Sequence, residues 1–170
     1  MSVRWRKPTK HYEKLLRGKP RRLGQNAPLS RMLKIKLKNA RFLPAKTKTV
    51  LESSDDVASV KLGGKWRMPT DAEWTELRTK CTWTWTDSYK GKGVKGQIVT
   101  ATNGNSIFLP AAGDRLNTNL YSAGSRGIYW SSSLYTGYPD SAWNVFFNSD
   151  DVRRSNRYRY IGLSVRPVSE

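Results

Sequence analysis

The dipeptide Asn103-Gly104 is the sharpest hairpin signal in this chain. It lies between Gln97 to Thr102 and Asn105 to Leu109, two runs suited to strands. Asn-Gly in that setting is the strongest short-range hairpin signal, because a two-residue type I′ turn needs positive φ at both positions. The expectation is an antiparallel hairpin, and the flanking sequence extends it. Thr82-Trp83-Thr84-Trp85-Thr86 alternates with a period of two, which puts both tryptophans on one face of a strand. After Pro110-Ala111-Ala112-Gly113 the run from Asp114 to Gly127 reads as irregular. Ile128 to Leu134, Ala142 to Asn148 and Ile161 to Val168 then read as three further strands.

Helices are expected only upstream of these strands. Ser54 to Gly64 has a Ser cap, Asp55 and Asp56 where the helix dipole favours acids, and Gly63-Gly64 as a stop. Thr70 and Glu73 stand at the capping-box spacing, so a second helix should begin there, with Trp74, Leu77 and Cys81 on one face. One or two helices, short antiparallel strands and long loops define an α+β class.

Charge divides the chain before any fold is considered. Residues 1 to 50 carry 16 Lys or Arg against Glu13 alone, whereas the remainder is nearly balanced within a total of +18. Residues 1–48 therefore read as a basic, flexible arm, and residues 49–170 as the folded domain. Tyr12 to Arg17 and Leu29 to Leu43 lack a convincing period, and low hydrophobicity with high charge does not offset the entropy of ordering. Such an arm is suited to phosphate contacts, which makes nucleic acid a candidate partner through residues 1–50. No stretch has the length and apolarity of a membrane span, and Met1 to Lys7 is not followed by the apolar run of an export signal.

Metal and nucleophile chemistry find little material. Cys81 is the sole cysteine, on a face expected to be core, and His11 is the sole histidine, in the basic arm. No Ser/His/Asp set or histidine metal site can be assembled in the domain, and no cofactor is expected. The adjacent carboxylates Asp55-Asp56 and Asp150-Asp151 read as solvated loop pairs, so the domain is expected to be a binder and not an enzyme.

The binding face is expected in the last third. From Ile98 to Ser169 there is no Lys, Glu, Gln or Met, types that make up roughly a fifth of an ordinary chain. An Asn codon AAC or AAT whose adenines are replaced at random yields Tyr, Asp, Ser, Thr, Gly, Ile, Phe, His and Arg, but never Lys, Glu, Gln, Met or Trp. The connecting segments between the last strands match that set. Tyr supplies broad contact area at low entropy cost, while Ser, Gly and Asn adapt their hydrogen bonds. The candidate ligand-binding residues are Tyr135, Thr136, Tyr138, Asp140, Ser141, Asn144, Phe146, Asn148, Asp150, Asp151, Arg153, Ser155, Asn156, Arg157, Tyr158, Arg159 and Tyr160. Alternation puts Trp143, Val145 and Phe147 on one face of a strand and Asn144, Phe146 and Asn148 on the other. The polar neighbours of Phe146 point to an outward ring that would join Tyr158 and Tyr160 as an aromatic anchor. Trp66, Trp74, Trp83, Trp85, Trp130 and Trp143 read as scaffold.

A family likeness rests on Trp66-Arg67-Met68-Pro69-Thr70 with Glu73-Trp74 and Leu77, Asn103 to Gly113, Tyr129-Trp130-Ser131-Ser132-Ser133, and Gly162 to Val168. In that order these motifs resemble the Fibrobacter succinogenes major paralogous domain, abundant in Bacteroidetes. The resemblance implies a C-type-lectin-like fold over roughly residues 50 to 168. Within the family the sequence is similar to the variable proteins of diversity-generating retroelements, whose asparagine-templated positions are mutagenised to diversify a ligand-binding surface. That implies a display domain for a protein or glycan ligand, and a cell-surface location. Trp66 to Trp74 also resembles the formylglycine-generating enzymes, whose paired cysteines have no counterpart beside Cys81. Tyr138-Pro139-Asp140 and Trp143-Asn144-Val145 are the nearest strings to the calcium loop and strand of sugar-binding C-type lectins, and they lack the strand carboxylate, so no metal site is expected. Two other readings stay open: a structural or adhesin module of a cell-surface or phage assembly, and nucleic-acid binding by the arm.

Overall fold

The computed structural model describes residues 48–169. The basic arm, with Tyr12 to Arg17, Leu29 to Leu43 and His11, lies outside the described residues.

Helix α1, Val57–Leu62, starts later than Ser54 would set it. Its cap is Asp56, whose Oδ1 accepts from Ala58 N at 2.8 Å and Ser59 N at 3.1 Å, while Oδ2 accepts from Met68 N at 2.7 Å. Asp56 is buried, and an ionised oxygen there satisfies more orphan backbone donors than a Ser54 hydroxyl could. The Asp55-Asp56 pair is thus not a solvated pair: one member is structural.

Met68 leads directly into the second helix. After strand β1, Trp66–Arg67, helix α2 spans Asp71–Lys80 and its capping box forms as the spacing predicts. Thr70 Oγ1 accepts from Glu73 N at 3.2 Å, and Glu73 Oε2 accepts from Thr70 N at 2.7 Å. Arg67 adds a fork to the same carboxylate, at 2.7 and 2.8 Å. Burial works against the ionised form, but the Arg67 fork and the Thr70 donors outweigh it and hold the Glu73 carboxyl below its ordinary range. Helix α2 buries Trp74 and Leu77. Cys81 falls just beyond it as the C-cap, half-buried against the core, where burial and the Glu76 charge push its thiol up.

Among the described residues the strands, β1 included, make four small antiparallel sheets. Strands β2 (Thr82–Thr86), β3 (Gly96–Thr100) and β4 (Ser106–Pro110) form one sheet in that order. The β3–β4 hairpin forms, but not with the expected turn. Gly104 has φ 79° while Asn103 is not among the residues with positive φ, Gly104 N donates to Ala101 O, and Ala101 N donates to Asn105 O, each at 2.9 Å. The loop is therefore Thr102-Asn103-Gly104, a tight turn closed by a left-handed glycine. Asn103 Oδ1 accepts from Asn105 N at 3.0 Å, a bond available to an Asn side chain that folds over its own turn.

The run from Asp114 to Gly127 is not irregular throughout. Strands β5 (Asp114–Leu116) and β6 (Asn119–Tyr121) pair around Asn117, which takes φ 54°. Strands β7 (Gly127–Leu134), β8 (Ser141–Phe147) and β9 (Val152–Tyr158) form a second three-stranded sheet in sequence order. Its third strand is a correction: Val152–Tyr158 reads as connecting chain by composition. Ile161 to Val168, expected as a strand, makes isolated bridges at Gly162 and Ser164 before β10, Val168–Ser169, pairs with β1. Arg153, Arg154, Asn156 and Arg157 carry no apolar alternation because β9 is an exposed sheet edge, where propensity and pattern are weakest.

The core gathers Trp74 and Leu77 of α2, Val99 of β3, Leu109 of β4, Ala111, Tyr129 of β7, and Val145 and Phe147 of β8. Trp83 and Tyr129 flank Phe147, each with ring centroids 5.8 Å away. Gly127 lies opposite Phe147, and a Cβ there would come within 2.0 Å of the ring, so the glycine makes room for this aromatic centre. The two helices and small antiparallel sheets make an α+β domain.

Candidate ligand-binding face

Three serines set the geometry of the sheet end. The β7–β8 register shifts between Trp130 and Leu134, and Ser131 Oγ bridges the irregularity by donating to Trp143 O at 2.9 Å. Ser132 N donates to Pro69 O at 2.8 Å, and Ser133 Oγ accepts from Asp71 N at 3.0 Å. The bulge is thereby fastened to the start of α2. A bulge twists and re-aims the strand that carries it. Beyond it the chain turns at Tyr135 to Asp140, where Tyr138 N donates to Tyr135 O at 3.3 Å and Ser141 N to Tyr138 O at 2.9 Å.

The face that results is centred on Trp143, which is half-buried and not core scaffold as its type predicts. Tyr135 meets Trp143 edge-on at 4.6 Å between centroids, and Tyr138 meets Tyr135 at 5.8 Å. The Arg154 guanidinium lies 3.3 Å over the Trp143 ring. Its nitrogens also fork onto Asp71, with Nε to Oδ1 at 2.9 Å and an Nη to Oδ2 at 2.8 Å. Arg154 was not among the expected contacts. The signal that could have found it is period two: Arg154 alternates with Asn156 and Tyr158, and the register puts these opposite Val145, Trp143 and Ser141. Tyr158 and Tyr160 stack with centroids 5.4 Å apart and rings 9° from parallel, 51% and 71% exposed.

The structure divides the other candidates. Arg153, Ser155 and Arg157 project from the opposite face of β9, against Phe146, Asn144 and Ala142. Thr136, Asp140 and Tyr160 are exposed beside the Trp143 face, while Arg159 is half-buried and donates to Pro139 O at 3.3 Å. Asn148, Asp150 and Asp151 sit at the far end of β9, seven strand residues or roughly 23 Å from Tyr158, so they share no patch with it. Asn148 is spent on the turn: its Oδ1 accepts from Asp150 N at 2.9 Å and Asp151 N at 2.7 Å. The Asp151 carboxylate is paired with Arg153.

Three candidates are buried and leave the face. Phe146 is 6% exposed: it lies opposite Ile128, and the Arg153 guanidinium stands 4.2 Å over its ring. Both faces of β8 are covered, so polar neighbours in sequence do not mark an outer face. Ser141 and Asn144 are buried as well, and the Asn144 amide has no hydrogen-bond partner on either Oδ1 or Nδ2.

Among the described residues no three of His, Cys, Asp and Glu gather as a metal site, and no helix is long and apolar enough to cross a membrane. Comparison of the chain with protein-family models, curated proteins and solved structures returned no match.

Proposed function

We propose that the end of the β7–β8–β9 sheet is a non-enzymatic ligand-binding face of a C-type-lectin-like display domain, akin to the retroelement-diversified variable proteins that the motifs resemble. The observation that carries it is the Trp143 cluster. Arg154 and exposed Tyr158 project from β9, half-buried Tyr135 from the turn after β7 and exposed Tyr160 from just beyond β9, and their neighbours hold them in place. Tyr135 rests on Trp143, Arg154 lies between Trp143 and Asp71, and Tyr158 stacks on Tyr160. Rigid aromatic and guanidinium anchors with adaptable Ser, Thr and Asn around them are what a protein or glycan partner engages. Binding is favoured over catalysis because one carboxylate of each adjacent pair has structural work: Asp56 caps α1, and Asp151 pairs with Arg153.

The DNA tests this reading. A near-copy of the segment encoding Tyr129 to Pro167 should lie beside a reverse transcriptase gene. It should carry AAC or AAT at codons for exposed positions such as Thr136, Tyr138, Asp140, Asn156, Arg157, Tyr158 and Tyr160. Differences spread over bases other than adenine would sink the diversification reading. The basic segment supports a second activity, phosphate binding by residues 1–50, which predicts affinity falling steeply with salt.

A further inference from the structure

The two outer edges of the β7–β8–β9 sheet are unequal. The β7 edge is covered: Trp130 N donates to Ser164 O at 2.9 Å, Ser164 N to Ile128 O at 3.2 Å, Leu51 N to Ser132 O at 2.9 Å, and Leu134 N to Thr49 O at 2.8 Å. Strand β9 is the other edge, and no strand or isolated bridge pairs with its outer side among the described residues.

The hairpin bonds fix which groups of β9 face outward. Asn148 N donates to Asp151 O at 3.0 Å at one end, and Arg159 N to Asp140 O at 2.8 Å at the other. Between them the register runs unbroken from Phe147 opposite Val152 to Ser141 opposite Tyr158. Bonded and non-bonded pairs alternate in an antiparallel ladder. Arg153, Ser155 and Arg157 therefore turn their N–H and C=O groups toward β8, and Val152, Arg154, Asn156 and Tyr158 turn theirs away. The Tyr158 carbonyl accepts from Ile161 N at 3.0 Å. The open row is then Val152, Arg154 and Asn156, with the Tyr158 N–H.

We propose that this edge receives an extended, acidic polypeptide segment as a fourth strand. Charge selects the occupant. From Val152 to Tyr160 there are four arginines, Arg153, Arg154, Arg157 and Arg159, and no acid, and Arg157 forms no salt bridge among the described residues. Arg153 and Arg154 already have Asp151 and Asp71, so the charge left for a partner is that of Arg157, and an added strand would set a residue directly opposite it, where Asp or Glu is the favourable cross-strand partner. A second copy of this chain is the wrong occupant, because edge-to-edge pairing about Ser155 would bring Arg153 against Arg157. Charged residues on an edge ordinarily discourage pairing with other strands. Here two of them are tied down, Arg153 to Phe146 and Asp151, and Arg154 to Trp143 and Asp71, so the edge itself stays clear. The proposal rests on the ligand-binding reading for its side chains, but main-chain bonding supplies the affinity and is indifferent to which side chains are displayed.

The test uses the full chain and a synthetic ten-residue peptide of alternating Glu and Val. A control peptide of equal charge is N-methylated at every residue that would bond to β9. The basic arm attracts both peptides alike, so the difference between them reports the edge. The unmethylated peptide should bind about tenfold or more tightly than the methylated one. It should also slow hydrogen exchange at the Arg154, Asn156 and Tyr158 amides, while Ser155 and Arg157 are unchanged. Asn156→Pro removes an outward N–H that has no native partner, and prolines are tolerated at strand edges, so it should narrow the difference severalfold without lowering the melting temperature. Equal binding of the two peptides, unchanged exchange at the outward amides, or no binding of either would overturn the proposal. A matching template copy with any of those results would retain the display reading and sink the strand reading alone.

Discussion

Asn144 shows how far a residue's chemistry can diverge from its place. Its amide is polar and its neighbours in sequence are mixed, yet it is 2% exposed with no partner on either polar atom. A buried polar group that makes no hydrogen bond carries a desolvation cost without return. Asn144→Leu, which keeps a similar branched shape, should therefore leave stability unchanged or raise it by up to about 1 kcal/mol. Urea unfolding at constant slope reads this, and a loss above about 1 kcal/mol would mean that the amide is bonded after all. Glu73 is the opposite case, buried but fully engaged by Arg67 and Thr70. Its folded-state pKa is depressed, so its contribution is complete above the unfolded value of about 4.3 and is lost as pH falls through the folded value. Glu73→Gln should destabilise by about 1 to 3 kcal/mol at neutral pH. The gap between the two proteins should narrow as pH drops below about 4, and a gap independent of pH would refute the ionised pairing.

At the level of elements, legibility followed covalent preference. The α2 start was readable because a capping box is a local rule: Thr70 and Glu73 satisfy each other regardless of what packs above them. The β3–β4 hairpin was readable, but its turn was not, because Asn-Gly serves both a two-residue turn and the last two positions of a three-residue one. Only the Ala101–Asn105 pairing separates these. In the observed turn Gly104 alone needs positive φ, so Gly104→Ala should cost about 1 kcal/mol, and Asn103→Ala should cost less than the loss of a required left-handed residue. Equal, larger losses at both positions in thermal melts would favour the type I′ turn instead. Strand β9 was illegible for a different reason. An edge strand buries little, so Val152–Tyr158 bears no pattern of burial for the sequence to encode. Its pairing is imposed by the Asn148 turn and by β8.

For the folded domain as a whole, buried and exposed candidates lie side by side along β8, β9 and the segments that flank them. Phe146, Asn144 and Ser141 are buried, whereas Thr136, Tyr138, Asp140, Arg157 and Tyr160 are exposed. Composition placed all eight in one binding set, because residue type reports how a position is supplied and not which way it points. The fold should therefore tolerate the exposed five as a block and resist change at the buried three. A variant carrying Thr136→Asn, Tyr138→Asn, Asp140→Asn, Arg157→Asn and Tyr160→Asn removes no buried contact of the core. Surface changes are individually within about 0.5 kcal/mol, so the block should cost about 2.5 kcal/mol, with coupling expected among Thr136, Tyr138 and Asp140 in their shared turn. Phe146→Asn alone should cost at least about 3 kcal/mol, since it empties the space between Ile128 and Arg153 and buries an unpaired amide. Thermal and urea unfolding of the two variants rank them directly. If the five-fold variant is the less stable, the exposed residues are part of what holds the sheet end together, and a surface free to vary over a constant scaffold is the wrong description of this domain.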